Sequence, residues 1–536
     1  MPELTETTTA APTVSPGPWT PKFNPWAIAV VVAMAAFMEV LDTSIANVAL
    51  PHMAGNLGAS NDESTWVLTS YLVSNAIVLP ISGWLAGLFG RKRFFILCIF
   101  LFTASSMLCG AAPSLGMLIL FRVLQGVGGG GLQPMAQAIL ADTFPPHQRG
   151  LAFAVYGITA VMAPTIGPTL GGWITDNYTW RWIFYINLPV GLLAMFLAYR
   201  MVEDPPYLKR VPRGAVRVDY IGISLLSLGI GALQILLDKG QEDDWFGSHF
   251  IATLASIAVV CLVSLVVWEW RHKDPIIDVR LFQYFSFASA NLMMFILGVV
   301  LFSSLVMMPQ FLQTLMGYTA QSSGMVLSAS GILLLFEMPV VGQLTTKLAA
   351  KYIVAFGWVL LAIAMYYSTV RMDLLISFQS AMWLRVAQSS GLGFLFVPIS
   401  LIAYSDIPPE KGNSVSGMVN FMRNIGSSVG TSMVTTLLAR RAQFHQSMLA
   451  SHTTSFDPAL QNQVAGLSRQ LVHSGISAAD AQTHAYGLIY GGMQAQSQAL
   501  AYIDVYLLLA IGAGIMFLLS FLVRKNDPRG GPVVME

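Results

Sequence analysis

Six ionisable residues lie deep inside apolar runs of this 536-residue chain: Glu39, Asp42, Arg122, Glu337, Arg385 and Arg423. On insertion scales each costs about 2.5–3.5 kcal/mol in hydrocarbon, so each is expected to have a partner or a task. Glu39 and Asp42 are three residues apart and so share one helix face. Asp42 sits about 16 residues, or ~24 Å, into its run, and Arg122 about 7 residues, or ~10 Å, into an oppositely directed run. In a core about 30 Å thick those depths nearly coincide. Two carboxylates facing one cation do not both ionise cheaply. The spacing therefore predicts a protonation site, with Asp42 as the principal carboxylate, Arg122 as its partner and Glu39 in a milder role. A static buried ion pair is the competing reading. Glu337 has three readings that stay open: a second proton site, a ligand for a cationic compound, or a structural partner of Arg385 or Arg423. Asp504 and Asp219 lie at the edges of runs, where an interface explains them equally well.

The elements that must carry these residues follow from composition. The chain is 55% hydrophobic and only 10% charged, with net charge +1 and mean hydropathy +0.64. Soluble proteins carry about 25% charged residues. This excludes an ordinary soluble enzyme and a disordered chain, and the missing basic field excludes a nucleic-acid binder. Cys98, Cys109 and Cys261 are scattered through apolar runs and read as buried thiols, with no disulfide framework or metal site. Residues 1–25, rich in Thr and Pro with no basic n-region, read as a cytoplasmic tail.

About fourteen runs are long enough to cross a bilayer as helices: 26–50, 65–89, 93–112, 115–141, 149–174, 181–201, 218–237, 249–268, 285–308, 322–344, 350–370, 375–404, 412–437 and 499–523. With the N-terminus inside, nineteen Lys and Arg fall on inner segments and six on outer ones, which predicts that both termini are cytoplasmic.

The chain also repeats itself. Arg122-Val123-x-Gln125-x-x-Gly128 recurs as Arg385-Val386-x-Gln388-x-x-Gly391, and the same offset carries Pro145-Pro146 onto Pro408-Pro409 and Gly167 onto Gly430. Two parallel halves of six spans leave the seventh and eighth as extras. Such halves place a substrate site between them at mid-membrane. The expected architecture is all-α and integral to the membrane. It comprises an N-terminal bundle at 26–201, a linker with two extra spans at 202–280, and five C-terminal spans at 281–437. A long outer loop at 438–498, a last span at 499–523 and a cytoplasmic tail at 524–536 follow. Within the outer loop, Leu460, Val464, Leu467 and Leu471 recur at helical spacing and predict a surface helix.

Several motifs are more particular. Leu41-Asp42-Thr43-Ser44-Ile45-Ala46-Asn47 begins a stretch that runs to Pro51. Gly83-Trp84-Leu85-Ala86 precedes Gly90-Arg91-Lys92-Arg93. Ala163-Pro164-x-x-Gly167-Pro168-x-x-Gly171-Gly172 is followed by Trp180-Arg181-Trp182-Ile183-Phe184-x-Ile186-Asn187, and Asn420-x-x-Arg423-x-x-Gly426 lies further on. Together these resemble the fourteen-span drug:proton antiporters of the major facilitator superfamily, of the EmrB/QacA kind. The resemblance implies the major facilitator fold and a proton-driven exporter of hydrophobic or amphipathic compounds in a bacterial inner membrane, without a cofactor. It also implies a periplasmic adaptor and an outer-membrane channel as partners. Conformational roles fall to Gly83, Gly90, Arg91, Arg93, Asn420, Arg423 and the Pro164–Gly172 stretch, read as a tight, bendable helix between the halves. A central cavity would be lined by Phe37, Met38, Asn47, Gln125, Tyr156, Met162, Arg385 and Gln388; soft Met and flat aromatic surfaces suit varied apolar ligands. The family's loop motif has an Asp where this chain has Gly87, so Arg91 and Arg93 need other partners.

The rival readings are an importer of a defined small solute and a channel. An integral-membrane enzyme finds little support. No His-Glu-x-x-His occurs, and the one Gly-x-Ser-x-Gly match, Gly426–Gly430, lies in an apolar run rather than at a strand-to-helix turn. A phosphate loop is also missing, so ATP is not the direct energy source.

Overall fold

The computed structural model describes residues 21–206, 218–451 and 456–523. The tails expected at 1–25 and 524–536, part of the linker and part of the outer segment therefore lie partly outside the described residues, as do Lys209, Arg210, Arg213, Arg217, Arg524, Lys525 and Arg529.

Every regular element among the described residues is helical. The N-terminal half holds α1 (Pro25–Leu57), α2 (Asn61–Phe89), α3 (Arg91–Ala111), α4 (Leu115–Gly129), α5 (Leu132–Thr143), α6 (Arg149–Asn177), α7 (Trp182–Tyr185) and α8 (Asn187–Met201). Next come α9 (Tyr220–Lys239) and α10 (His249–Arg271). The C-terminal half holds α11 (Phe285–Thr314), α12 (Ala320–Leu344), α13 (Ala350–Arg371), α14 (Phe378–Ser389), α15 (Leu392–Tyr404), α16 (Gly412–Ser451), α17 (Pro458–His473) and α18 (Ala478–Ser520). The pairs α4/α5, α7/α8 and α14/α15 each make one pass, so each half has six.

Local chemistry sets the ends. Ser60 and Glu63 form a reciprocal capping box at the start of α2, with Ser60 N donating to Glu63 Oε2 at 2.9 Å and Glu63 N to Ser60 Oγ at 3.2 Å. Ser114, Thr319 and Ser377 cap α4, α12 and α14 from one side only, each side-chain oxygen accepting a backbone N–H. Between α2 and α3, Gly90 adopts φ 83°, which a side chain would resist.

Thirteen helical stretches among the described residues are long and apolar enough to cross a membrane by composition alone, and α16 makes the fourteenth pass. The remaining pass, α16, packs within the assembly against α11, α2, α5 and α18. It falls short in apolarity because its inward face carries buried Asn413, Asn420 and Arg423. The outer segment 438–498 is not a loop. α16 continues to Ser451, and α18 already begins at Ala478. Polar side chains outside the bilayer do not interrupt a helix whose backbone bonds are internal, so a hydropathy boundary is not a helix boundary. The surface helix expected within this segment is α17, which buries Val464 and packs on α18.

The halves meet along α6 with α12 and along α2 and α5 with α16. The extra hairpin lies beside α2 and reaches both halves. Gln234 of α9 bonds Ser428 of α16 at 2.9 Å, and Asp238 bonds Thr69 of α2.

Candidate functional site

Asp42 is 2% exposed and held entirely by the N-terminal half. Its Oδ2 accepts from Arg122 Nη1 at 2.6 Å. Its Oδ1 accepts from Gln125 Nε2 at 3.0 Å and from Asn187 Nδ2 at 2.7 Å. Arg122 also donates through Nε to the Val67 carbonyl at 3.1 Å and through Nη1 to Gln125 Oε1 at 2.8 Å. Asn187 is itself fixed by Ser106 at 3.0 Å. The depth matching of Asp42 and Arg122 is thus seen as a direct pair. Charge-assisted bonds of this kind are short and strong, and enclosure by four helices makes the pair costly to break.

Glu39 is also buried, at 3% exposure, but its partners differ. One carboxylate oxygen accepts from Tyr71 Oη at 2.8 Å and Asn75 Nδ2 at 3.1 Å, and the other from Gln133 Nε2 at 2.5 Å. No bond joins it to Arg122, so the expected sharing of one cation by two acids is not what the structure shows. At three residues' spacing the side chains diverge enough for Asp42 to reach α4 and α8 while Glu39 reaches α2 and α5. Tyr71 links the two groups: its ring lies 4.3 Å from the Arg122 guanidinium carbon while its hydroxyl serves Glu39.

From Glu39 the network crosses to the other half. Gln133 Oε1 accepts from Arg423 of α16 and lies 3.2 Å from Tyr156 Oη. Tyr156 Oη lies 2.8 Å from Asn420 Oδ1, and Asn420 Nδ2 donates to Gln137 Oε1 at 2.7 Å. The Arg423 guanidinium also lies over the Phe396 ring, at 5.6 Å. A carboxylate on α1 is thereby connected, through neutral amides and a phenol, to a cation on α16.

Arg385 and Gln388 lie apart from both groups. They are buried inside the C-terminal half, where Arg385 Nη1 donates to Ser304 Oγ at 3.0 Å and Gln388 Nε2 to Ser368 Oγ at 3.0 Å. Neither residue meets the seam between the halves: Arg385 is 0% exposed and its bonded partners are on α11 and α14. Glu337 pairs with neither Arg385 nor Arg423. Its Oε1 accepts the Gly393 amide at 3.0 Å, at the N-terminus of α15 where α14 and α15 break. Of the other expected lining residues, Met38 and Gln125 are buried, Phe37 is half-buried and Asn47 is exposed. Met162 approaches Gly331 across the α6–α12 contact.

The conformational motifs divide similarly. Arg91 pairs with Asp142 of α5 and donates to the Ala138 carbonyl at 3.2 Å, which supplies the partner that Gly87 does not. Arg93 is exposed. A Cβ at Gly83 would stand 2.9 Å from the Ser414 amide nitrogen, so α2 and α16 approach across the halves. Gly167 and Gly171, expected between the halves, instead press α6 against Ser44 and Ile45 of α1 within one half. Gly172 meets open space. Pro168 has no N–H for the Pro164 carbonyl, and Ser44 Oγ donates to that oxygen at 3.2 Å. The contact with α12 is made by Gly150, Gly157 and Thr169, the last 3.2 Å from Ser328.

Tyr71, Asn75, Ser106, Gln133 and Gln137 were not singled out from the sequence, and Asn187 only as part of a motif. All are neutral at physiological pH, so their place in the site is not marked by charge in an apolar run. The available signal was a polar side chain in an apolar run.

Two parallel six-pass bundles flanking a polar seam define a membrane carrier that works by rocking its halves. The chain belongs to the Major Facilitator Superfamily, whose family model matches residues 32–431. It is 38% identical over 456 residues to the Multidrug export protein EmrB of Haemophilus influenzae, covering 85% of this chain and 87% of that protein. It is 37% identical over 441 residues to EmrB of Escherichia coli strain K12, covering 82% and 85%. It is also 38% identical to the Fatty acid resistance protein FarB of Neisseria gonorrhoeae, covering 83% and 87%. The fold matches the structure of the proton:xylose symporter XylE with a TM-score of 0.59 at 14% identity, over 94% of this chain and 97% of that one.

Proposed function

We propose that this chain is a proton-driven exporter of hydrophobic or amphipathic compounds, working by alternating access, and that Glu39 takes up and releases the coupling proton. The likeness to the EmrB proteins and FarB supports export of such compounds. One observation carries the coupling assignment. Glu39 is bonded to Gln133, which is bonded to Arg423 of the opposite half, so rocking the halves changes the environment of this carboxylate. Asp42 has all its bonded partners inside one rigid half, and rocking leaves them intact. A proton couples to a conformational change only where the two states hold it differently. One proton crossing 100 mV releases about 2.3 kcal/mol, enough for roughly a 50-fold gradient of a neutral compound.

The basic segments face the cytoplasm in this reading, so both chain ends lie inside a bacterial inner membrane. The seam is joined at that side by Gly83, Tyr156 and Asn420. The helical extension of α16, α17 and α18 then points outward, and it is the surface offered to a periplasmic adaptor.

The experiment is drug-driven proton release in proteoliposomes. Glu39→Gln is expected to bind drug with a pH-independent affinity and to release no proton. Normal release from Glu39→Gln together with its loss in Asp42→Asn moves the proton site to Asp42.

A further inference from the structure

The repeat that relates the halves preserves an arginine and removes its acid. In the N-terminal half Arg122 meets Asp42 at 2.6 Å, with Gln125, Ser106 and Asn187 around them. In the C-terminal half Arg385 and Gln388 repeat Arg122 and Gln125; Gln388 Nε2 donates to Ser368 Oγ of α13, and Tyr506 of α18 lies beside Gln388. Where Arg122 Nη1 meets the Asp42 carboxylate, Arg385 Nη1 meets the hydroxyl Ser304 Oγ, at 3.0 Å. Ser304 is neutral and already donates to the Leu301 carbonyl at 2.8 Å.

Arg385 is 0% exposed. A guanidinium has five N–H donors and stays charged at any pH the cell meets. Besides Ser304, Nη1 has only Gln388 Oε1 at 3.3 Å, and Nε and Nη2 meet no acceptor among the described residues. No described carboxylate lies within 4.0 Å of this guanidinium, in contrast to Arg122. A buried, uncompensated cation is among the costliest features a fold can carry.

We propose that the C-terminal half binds a small monovalent inorganic anion, of the halide class, against Arg385 Nε and Nη2, and that this ion does for Arg385 what Asp42 does for Arg122. The surroundings select a compact ion: every neighbouring polar group named is neutral, and the site is enclosed by α11, α13, α14 and α18. An amphipathic compound could not reach it without unpacking that half, whereas a single halide displaces little. The ion is structural and stays in one half, separate from the seam that handles protons.

The test is thermal unfolding of the purified full-length chain in detergent, with chloride or bromide exchanged for gluconate at constant ionic strength. The wild type is expected to show a saturable rise in Tm of a few degrees with chloride and bromide, and none with gluconate. Ser304→Asp supplies the missing acid. Its Tm should be independent of chloride and no lower than that of the chloride-free wild type. Arg385→Gln should also be flat, and if it fails to fold, Ser304→Asp decides. Crystals grown with bromide should show anomalous scattering beside Arg385. A wild-type Tm indifferent to chloride, or a Ser304→Asp protein that keeps the full chloride response, overturns the proposal.

Discussion

Tyr156 of α6 donates to Asn420 of α16 at 2.8 Å, and this hydrogen bond ties the two halves at the level of Glu39. A bond between buried neutral groups contributes on the order of 1 kcal/mol, which is about a fivefold bias between two states. Tyr156→Phe keeps the ring against Phe396 and removes the hydroxyl, and with it the contacts to Asn420 and Gln133. The population is expected to shift several-fold toward the state in which the basic-loop ends of the halves separate. Spin labels at Phe89 and Leu348, both exposed and on different halves, report it as growth of a longer-distance component. An unchanged distance distribution would assign the latch to other contacts.

The Asp42–Arg122 pair makes a different kind of prediction. Asp42→Asn leaves a fully buried guanidinium without its counter-ion, which costs about 3–5 kcal/mol. The single variant should unfold at clearly lower temperature in detergent, and Asp42→Asn combined with Arg122→Gln should recover much of the loss. Loss of transport in the single variant is therefore expected even though, in our reading, Asp42 does not carry the proton. Recovery of both stability and drug-dependent proton release in the double variant is expected if Asp42 is structural, and recovery of stability alone would return the coupling role to the Asp42–Arg122 pair.

Much of this is legible in the sequence, for identifiable reasons. Charge in hydrocarbon is rare enough that depth alone matched Asp42 to Arg122, and the repeat around Arg122 and Arg385 gave the two halves. What was not legible followed from direction rather than depth. Glu39 shares a helix face with Asp42, yet one helical turn sends it to Gln133 and the seam. Gly167 and Gly171 mark close packing, but a small-residue face does not say which neighbour approaches, and here it is α1. Arg385 repeats Arg122 in sequence, while its missing acid is visible only once Arg385 is seen to meet the Ser304 hydroxyl. The length of α16 escaped hydropathy because Arg440, Arg441, Gln443, His445 and Gln446 end the apolar run at about 437 while the helix itself continues to Ser451.

Glu337 serves as an internal comparison. Its carboxylate accepts the Gly393 amide at the start of α15, a position where a negative charge meets the helix dipole. Glu337→Gln retains an acceptor and loses the charge, which is expected to cost about 0.3–2 kcal/mol. A modest drop in Tm should accompany an unchanged ratio of protons released to drug moved in proteoliposomes. A halved ratio would make Glu337 a second proton site.

The outermost helices separate transport from assembly. α17 begins at the Asp457 cap, turns at Gly475 with φ 95°, and buries only Val464 against the rest. Phe456, at 87% exposure, and Val472, Tyr486, Leu488 and Tyr490 leave apolar area uncovered along α17 and the start of α18. None of these residues touches the seam or either buried arginine, so replacing 452–477 by a short Gly-Ser linker should leave both halves folded. Vesicles carrying this variant are expected to accumulate drug at the wild-type rate, because the Glu39 network and the halves are intact. Cells carrying it are expected to lose resistance, because an exporter that cannot engage an adaptor releases its load into the periplasm, from which it returns. The measurement pairs drug uptake in inverted vesicles with growth inhibition in an efflux-deficient host. Full resistance in cells would show that α17 is not the docking surface, and loss of vesicle transport would show that it supports the carrier itself.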